Sequence, residues 1–297
     1  MSLLTNLSRL VSDPPPSCLF ELSEAGIAYA VRADGQPGDV KFQPLAPGVL
    51  SVSPLHDNVQ QPEILAAEVA QLIPANGSRR KRRAALVLPD YAARVAVLDF
   101  DAFPTDADEQ LSLVRFRVKK SVPFDVDSAA VSYYVQPGGT RKKIDVVVAV
   151  MALEIVARYE APFRAANYSP GFVTTSALAA LNLVRSTGIT VLAKLGGHAL
   201  SVMVLDGTML RLARCVELEQ VANEEILAVL YPTLAYIEDE MESRAERLAL
   251  CGFGPMGEQI AAEWQAELGV AVEPVRSRLG AAGAHNAGLL GYLETAA

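Results

Sequence analysis

Two strand–turn–strand segments, one in each half of the chain, constrain the fold more than any other feature. Residues 18–22 and 26–32 are rich in β-forming residues, and so are residues 189–194 and 199–205. Glycines lie in or beside the turn of both segments, and further strands and helices follow each of them. This order predicts an α/β protein made of two similar halves with mixed sheets.

A smaller group of elements lies between the two halves. Strands are predicted at residues 84–89, 94–100 and 129–136, and a helix is predicted at residues 106–118. The returning strand at residues 144–152 is apolar on both faces, so we expect it in the middle of its sheet. The middle of the chain therefore predicts an additional α+β unit.

The remaining helices follow from hydrophobic periodicity. They are predicted at residues 1–13, 62–73, 153–166, 217–244 and 258–268. Pro232 lies inside the fourth of these segments, and proline cannot continue the hydrogen-bond ladder, so a break is expected there. The last predicted element is a strand at residues 270–274.

Composition limits the classes of partner and the compartment. The 297 residues are 51% hydrophobic and carry a net charge of −8, which is typical of a globular protein and disfavours nucleic acid as a partner. No apolar run reaches the roughly 18 residues of a membrane span, and no secretory signal is visible. We expect a cytoplasmic protein.

Metal and nucleophile chemistry find little support in the sequence. Cys18, Cys215 and Cys251 lie far apart in apolar stretches, which is typical of buried thiols rather than of a disulfide or a metal site. The three histidines are equally scattered, and no metal-ligand spacing or nucleophile elbow is present. We predict no metal site and no catalytic residue.

The order of the motifs resembles that of a known family, the PilM-type proteins of type IV pilus assembly. The stretches that carry the resemblance are Val87-Leu88-Pro89-Asp90, Val97-Leu98-Asp99-Phe100, the helix end Lys119-Lys120-Ser121-Val122-Pro123-Phe124, Val131-Ser132-Tyr133-Tyr134, the hairpin at residues 191–207 and the loop at residues 250–257. FtsA and the cytoplasmic part of the type II secretion L protein share the fold that this resemblance implies. That fold is the actin-like (ribonuclease H-like) duplicated α/β fold with mixed sheets and an inserted small α+β subdomain.

The resemblance also implies a helix at residues 173–183 and a division of the chain. Residues 17–84 and 166–188 would form the first actin-like subdomain, residues 85–165 the inserted subdomain, and residues 189–297 a reduced second subdomain. The segment between Cys215 and Cys251 leaves room for only one helical passage, where the family has a further small subdomain that closes over adenine.

Actin-like proteins hold ATP and Mg²⁺ between two hairpins, each with an Asp-x-Gly. Here Glu21 stands in place of the first aspartate, Ser23 in place of its glycine, and Lys194 in place of the second aspartate, ahead of Gly196 and Gly197. A lysine would repel Mg²⁺, although an ammonium is able to contact a phosphate directly. We therefore expect metal-dependent hydrolysis to be lost.

A glycine-rich loop leaves three interpretations open. Gly252, Gly254 and Gly257 fit G-x-G-x-x-G between a predicted strand and a helix, and Glu273 follows about 20 residues later. They are consistent with a dinucleotide fingerprint, with an adenosine loop kept for its chain geometry, or with residual nucleotide binding. Pro255 and the short remainder of the chain count against the first.

The family implies a scaffold rather than an enzyme. It would dock a short N-terminal segment of an inner-membrane PilN-like partner in a groove between the first subdomain and the insert, without ATP hydrolysis and with no cofactor. The residues assigned to this docking are Val87, Leu88, Arg94, Val97, Phe116 and Phe124. The alternative is an active ATPase or nucleotide-gated switch that uses ATP with Mg²⁺.

A run of five cations, Arg79–Arg83, is the strongest local charge signal. It is typical of a solvated linker before a strand. It also suits contact with an anionic membrane surface, where each cation contributes about 1 kcal/mol. Peripheral association with the inner membrane, through the partner or through this run, is the resulting expectation.

Overall fold

The computed structural model describes residues 16–33, 36–73, 81–137 and 143–295. The predicted N-terminal helix, Arg79 and Arg80 of the basic run, and the turn at Gly138-Gly139 lie outside these residues. In chain order the strands and helices are β1 Cys18–Ser23, β2 Gly26–Ala33, β3 Gln36–Pro37, β4 Lys41–Pro44, α1 Pro62–Leu72, β5 Arg82–Leu88, β6 Arg94–Phe100, α2 Ala107–Val118, β7 Ala129–Val135, β8 Ile144–Ala152, α3 Leu153–Ala165, β9 Tyr168–Thr175, α4 Ser176–Ala180, β10 Ile189–Gly196, β11 Ala199–Asp206, β12 Met209–Glu217, α5 Asn223–Glu240, β13 Arg247–Cys251, α6 Pro255–Leu268, β14 Ala271–Pro274, β15 Arg276–Ser277, β16 Gly280–Ala281 and α7 Ala287–Thr295.

Two mixed sheets repeat one topology, as the sequence predicts. The first has the order β3-β2-β1-β5-β9, with β4 also paired to β2. The second has the order β12-β11-β10-β13-β14. In each sheet the opening hairpin is antiparallel and its first strand runs parallel to a later strand, β1 with β5 and β10 with β13. β1 and β10 are therefore equivalent strands at the centres of the two sheets.

The insert is a three-stranded antiparallel sheet in the order β6-β8-β7, so β8 lies in the middle as predicted. Val146, Val148 and Val150 point to the face that α2 covers, and Val147 and Ala149 point to the other face. On that second face the side-chain amide of Gln136 bonds both the N–H and the carbonyl of Leu210 at 2.8 Å. The insert is thereby held against the second half of the chain.

Residues 168–175 correct the prediction of a helix at 173–183. They form β9, and the helical part shrinks to α4 and one 3₁₀ turn at Leu181–Leu183. Pro170 is tolerated in β9 because this is an edge strand, and the pairing with β5 shifts register beside it, between Ala84 and Ala85. The local pattern missed the pairing because the partner strand is distant in sequence.

Pro232 does not break α5, which corrects the predicted split. Pro232 leaves the carbonyl of Ala228 without its usual partner, and both residues are exposed, so water can reach that carbonyl. The opposite face of α5 buries Ile226, Leu230 and Ile237 in the second core. Packing of that face keeps the helix continuous.

α7 is a helix that the sequence did not predict. Although it follows the second sheet in the chain, Leu289 and Leu293 pack against Leu19, Ala28 and Ala85 of the first sheet. α1 and α3 cover the other face of that sheet. The chain end therefore returns to the sheet in which the described part of the chain begins.

Candidate functional site

Lys194 lies at the centre of the molecule, on the strand that follows the pattern of an actin-like phosphate hairpin. Side chains of β10 alternate, and Val191, Ala193 and Leu195 fill the second core. Lys194 points to the opposite face, towards the first half of the chain, and only 2% of it is exposed. Its pairing neighbours are Ser201 on β11 and Cys251 on β13.

Asp90 is the ion-pair partner of Lys194. It follows β5 in a short 3₁₀ turn, and its Oδ2 lies 2.8 Å from Nζ of Lys194. The other carboxylate oxygen accepts a 2.6 Å hydrogen bond from the backbone N–H of Ala177, in the first turn of α4. Asp90 is also buried. One carboxylate therefore joins the strand of the second sheet to two elements of the first half.

Glu21 is the second carboxylate of this centre. It lies on β1 on the face that α7 covers, and Oε2 accepts a 2.7 Å hydrogen bond from the N–H of Leu289. Oε1 accepts a hydrogen bond from the hydroxyl of Ser176. Burial raises the pKa of Glu21, and the charge of Lys194 opposes that rise without cancelling it. Neutral Glu21 is thus favoured relative to an exposed glutamate.

The charges explain how a lysine remains ionised in the interior. Burial by itself would lower the pKa of Lys194, but the neighbouring charges of Asp90 and Glu21 outweigh burial and raise the pKa above the ordinary lysine value. The ammonium therefore supplies a fixed positive charge between two carboxylates.

The cleft next to this centre is small and acidic. Its cavity has a volume of about 220 Å³, below the 300–1,000 Å³ that is common for small-molecule sites. Glu24 and Glu217 line it beside Glu21 and Asp90. Asp90, Glu24 and Glu217 outnumber the single ammonium of Lys194, so the lining of the cleft is acidic.

Glu24 narrows the gap between the two hairpin turns. Its Oε1 accepts a 2.7 Å hydrogen bond from the N–H of Val52. Its Oε2 lies 3.9 Å from the position that a Cβ would take at Gly197, in the turn of the second hairpin. An acidic side chain therefore lies where two opposed hairpin turns would otherwise leave room for phosphate.

The structure brings five of the eight residues predicted for the degenerate nucleotide site together. Glu21, Ser23, Lys194, Gly196 and Gly197 all line the cavity. The hydroxyl of Ser23 donates to the carbonyl of Gly26 at 3.0 Å and closes its own turn. A Cβ at Gly196 would lie only 3.3 Å from Nζ of Lys194. Glycine at this position therefore leaves room for the ammonium group.

The three glycines of the loop at residues 252–257 lie away from the cavity. Gly252, Gly254 and Gly257 do not line the cavity. Gly252 has a φ of 80°, and a Cβ there would overlap the carbonyl oxygen of Leu195. Glu273 accepts a hydrogen bond from Arg247. These contacts support the interpretation that the loop is kept for its chain geometry.

The six residues assigned to partner docking do not share one surface. Val87 and Leu88 are fully buried in β5, on opposite faces of the first sheet. Phe116 is 73% exposed on α2. The other three are partly buried: Arg94 donates to the carbonyl of Cys215, Val97 packs against the cluster that contains Leu192, and Phe124 lies between the insert and the first core.

The structure describes three of the five cations at 79–83, and one of them, Arg82, contacts other residues of the first half. The guanidinium of Arg82 lies 4.2 Å from the centre of the Tyr168 ring and donates to the carbonyl of Ile73. Lys81 is exposed, whereas Arg83 is partly buried on β5. The run therefore continues into the strand rather than ending before it.

Sequence reasoning missed the partners of Lys194 and Glu21. Asp90, Ser176 and Glu24 all contact or line the centre, yet none was assigned a role. Asp90 had a weak signal, an acid two positions after the end of the strand Arg82–Leu88. Ser176 had none, because it meets Glu21 across 155 residues of sequence.

Comparison with known proteins identifies the fold. No family model and no curated protein matches the chain. Among solved structures, the PilM-PilN type IV pilus biogenesis complex aligns over 96% of this chain and 99% of that chain, with a TM-score of 0.72 and 18% identity. A Bacteroides thetaiotaomicron protein of actin-like ATPase fold and unknown function aligns over 99% of both chains, with a TM-score of 0.57 and 13% identity. The predicted actin-like fold is confirmed.

Proposed function

We propose that this protein is a scaffold of type IV pilus assembly that docks a short N-terminal segment of an inner-membrane PilN-like partner and does not hydrolyse ATP. It would act at the cytoplasmic face of the inner membrane, attached through that partner. The observation that carries the proposal is the buried ion pair of Lys194 and Asp90 at the centre of an actin-like cleft. The likeness to the PilM-PilN complex over nearly the whole chain supports the pilus role.

Loss of hydrolysis follows from the position of the ammonium. Phosphoryl transfer in nucleotide sites depends on Mg²⁺ to neutralise developing charge. Here the positive charge is tethered to β10 and already bonded to Asp90, so a metal ion would have to displace it against charge repulsion. The same pair joins the two halves across the cleft and opposes the opening that exchange of nucleotide would require.

A groove between the insert, residues 178–186 and the β11–β12 hairpin supports the docking role. Its volume is about 740 Å³. It is lined on the insert by Tyr134, Val147 and Ala149, and on the opposite wall by Leu178 and Leu181. The apolar floor and its size suit a few apolar side chains of an extended segment.

The groove is held open by its surroundings. Gln136 bonds the backbone of Leu210 at one end, and the buried Asp145 forms an ion pair with Arg211 beside it. These contacts connect the insert to the second sheet. A wall that is already ordered lowers the entropic cost of binding a flexible segment.

Peptide binding is tested by calorimetric titration with the N-terminal cytoplasmic peptide of the PilN-like protein. We expect saturable binding to the native chain and its loss in Ala149→Arg, which places a charge on the apolar floor. Phe116→Arg is the matched control, because Phe116 lies on the α2 side of the insert and is highly exposed. Thermal melts of both variants verify folding. Absence of binding at high micromolar peptide, or loss in the control alone, would sink the docking role.

Nucleotide handling is tested by ATP turnover and by melting with and without Mg²⁺. We expect no turnover and no Mg²⁺-dependent stabilisation by ATP. A ligand at 100 times its Kd would add about 2.7 kcal/mol. Such a Mg²⁺-dependent gain, abolished by a substitution in the cleft such as Gly197→Glu, would favour the nucleotide-gated alternative.

A further inference from the structure

A second concave site lies at the β14 edge of the second sheet, away from the cleft. It is formed by the start of β13, the end of β14, residues 183–185 and the β15–β16 hairpin where it meets α7, and its volume is about 540 Å³. Four arginines and two glutamates line it, namely Arg185, Arg247, Arg276, Arg278, Glu273 and Glu294. From this lining we infer that the pocket, here called the arginine pocket, binds a soluble phosphate-bearing small molecule.

The charge of the arginine pocket is opposite to that of the protein. The chain carries a net charge of −8, yet this lining has two more positive than negative groups. Gathering guanidinium groups in one concavity costs free energy that a bound anion offsets. A local field of this sign also attracts anions that the rest of the surface repels.

The two glutamates are already engaged. Glu273 receives a 2.6 Å hydrogen bond from Arg247. Glu294 accepts from the hydroxyl of Ser277 at 2.7 Å and from the backbone N–H of Arg278 at 2.9 Å. The bonds of Glu294 fix the hairpin to α7, and the bond of Glu273 joins β14 to β13.

The arginines, by contrast, retain donors. The guanidinium of Arg276 is 3.7 Å from Glu258 and that of Arg278 is 3.5 Å from Glu294, both longer than an ordinary hydrogen bond. In the described part of the chain Arg185 has no ion pair. Guanidinium groups present paired N–H donors that match phosphate oxygens in a bidentate geometry.

The shape favours a small ligand over a membrane or a polymer. The pocket is a concavity rather than an extended flat face, and its volume is within the range of small-molecule sites. Its floor contains Val184, Pro274 and Val275, which offer apolar contact to the part of the ligand that bears the phosphate.

Titration with inorganic pyrophosphate, without divalent metal, tests the inference. We expect one saturable site per chain, weakening as ionic strength rises. Arg276→Gln/Arg278→Gln should weaken it about 100-fold, about tenfold per guanidinium removed. Lys119→Gln/Lys120→Gln is the control, because it removes the same charge from exposed positions of the insert. Both arginines are largely exposed, so folding should survive the change.

Three outcomes of the titrations would overturn the inference, and a fourth comes from vesicle binding. They are no saturable binding, equal weakening in the arginine and lysine variants, or equal affinity for malonate, a dicarboxylate that lacks phosphate. Binding only to vesicles of phosphatidylglycerol, without pyrophosphate binding, would also reject a soluble ligand. None of these results bears on peptide docking or on the Mg²⁺-dependent assays, so failure here is distinct from failure of the scaffold role.

Discussion

Oε2 of Glu21 accepts a hydrogen bond of 2.7 Å from the backbone N–H of Leu289, which lies 268 positions later in the chain. The donor is in the first turn of α7, where N–H groups have no partner within the helix and where negative charge is favoured. Glu21 therefore does two things at once: it faces the buried ammonium of Lys194 and it anchors the last helix on the first sheet.

Glu21→Gln should change how stability depends on pH. The pKa of Glu21 is raised above its ordinary 4.5 by burial, so from 4.5 upwards the native state retains a proton that the unfolded state has lost. This group therefore makes the free energy of unfolding fall as pH rises from 4.5 to the folded pKa. In Glu21→Gln that contribution disappears.

The measurement is urea denaturation of both proteins over this pH range. Asp57, Asp99 and Glu294 have lowered pKa values and act in the opposite direction, but they are common to both proteins and cancel in the difference. A difference in unfolding free energy that does not vary with pH would contradict the assignment.

Lys194→Met should destabilise the protein by about 3–5 kcal/mol, because removing one partner leaves the other charge buried and unpaired. In the double variant Lys194→Met/Asp90→Asn, the asparagine oxygen still accepts from the N–H of Ala177. Much of the lost stability should return in that variant. Chemical denaturation of the wild type, both single variants and the double variant gives the coupling free energy, and strictly additive effects would argue against a direct pair.

Gly291→Ala tests how closely α7 packs against α4. A Cβ at Gly291 would overlap the carbonyl oxygen of Ala179, a backbone atom that cannot rotate away. We expect a loss of about 1–3 kcal/mol and faster amide exchange in α7. Gly283→Ala is the control, since its Cβ would come no closer than 3.5 Å to Asn286. Equal stability of the two variants would mean that α7 packs more loosely.

The native thiols should resist alkylation. Burial raises the pKa of Cys215 and of Cys251 to about 12, and it also raises the pKa of Cys18, so almost no thiolate exists near neutral pH. Labelling should be slow in the folded protein and complete in denaturant. Ser132→Cys adds an exposed thiol at the groove, which should label quickly and be protected by the PilN-like peptide. Rapid labelling of Cys18 or Cys251 in the native protein would disprove their burial.

The fold was predictable where the signal is local. Alternating strands and turn glycines specify the two hairpins, and a run that is apolar on both faces places β8 in the middle of its sheet. β9 was missed because Pro170 is acceptable only at a sheet edge, and α7 because a nine-residue helix has little periodicity of its own. In both cases a distant surface supplies the stabilisation.

The same distinction between local sequence and tertiary structure applies to the residues of the cleft. The sequence by itself determined the residue types at the two hairpins, and therefore the reversal of charge at Lys194. Only the tertiary structure decided what that charge meets: Asp90 lies 104 positions away, and Ser176 and Leu289 reach Glu21 from two further elements. Local sequence sets which way a strand side chain points, whereas burial and pairing depend on how the two halves pack. Lys194 is thus an internal ion-pair partner, and this role could not be deduced from its position in the chain.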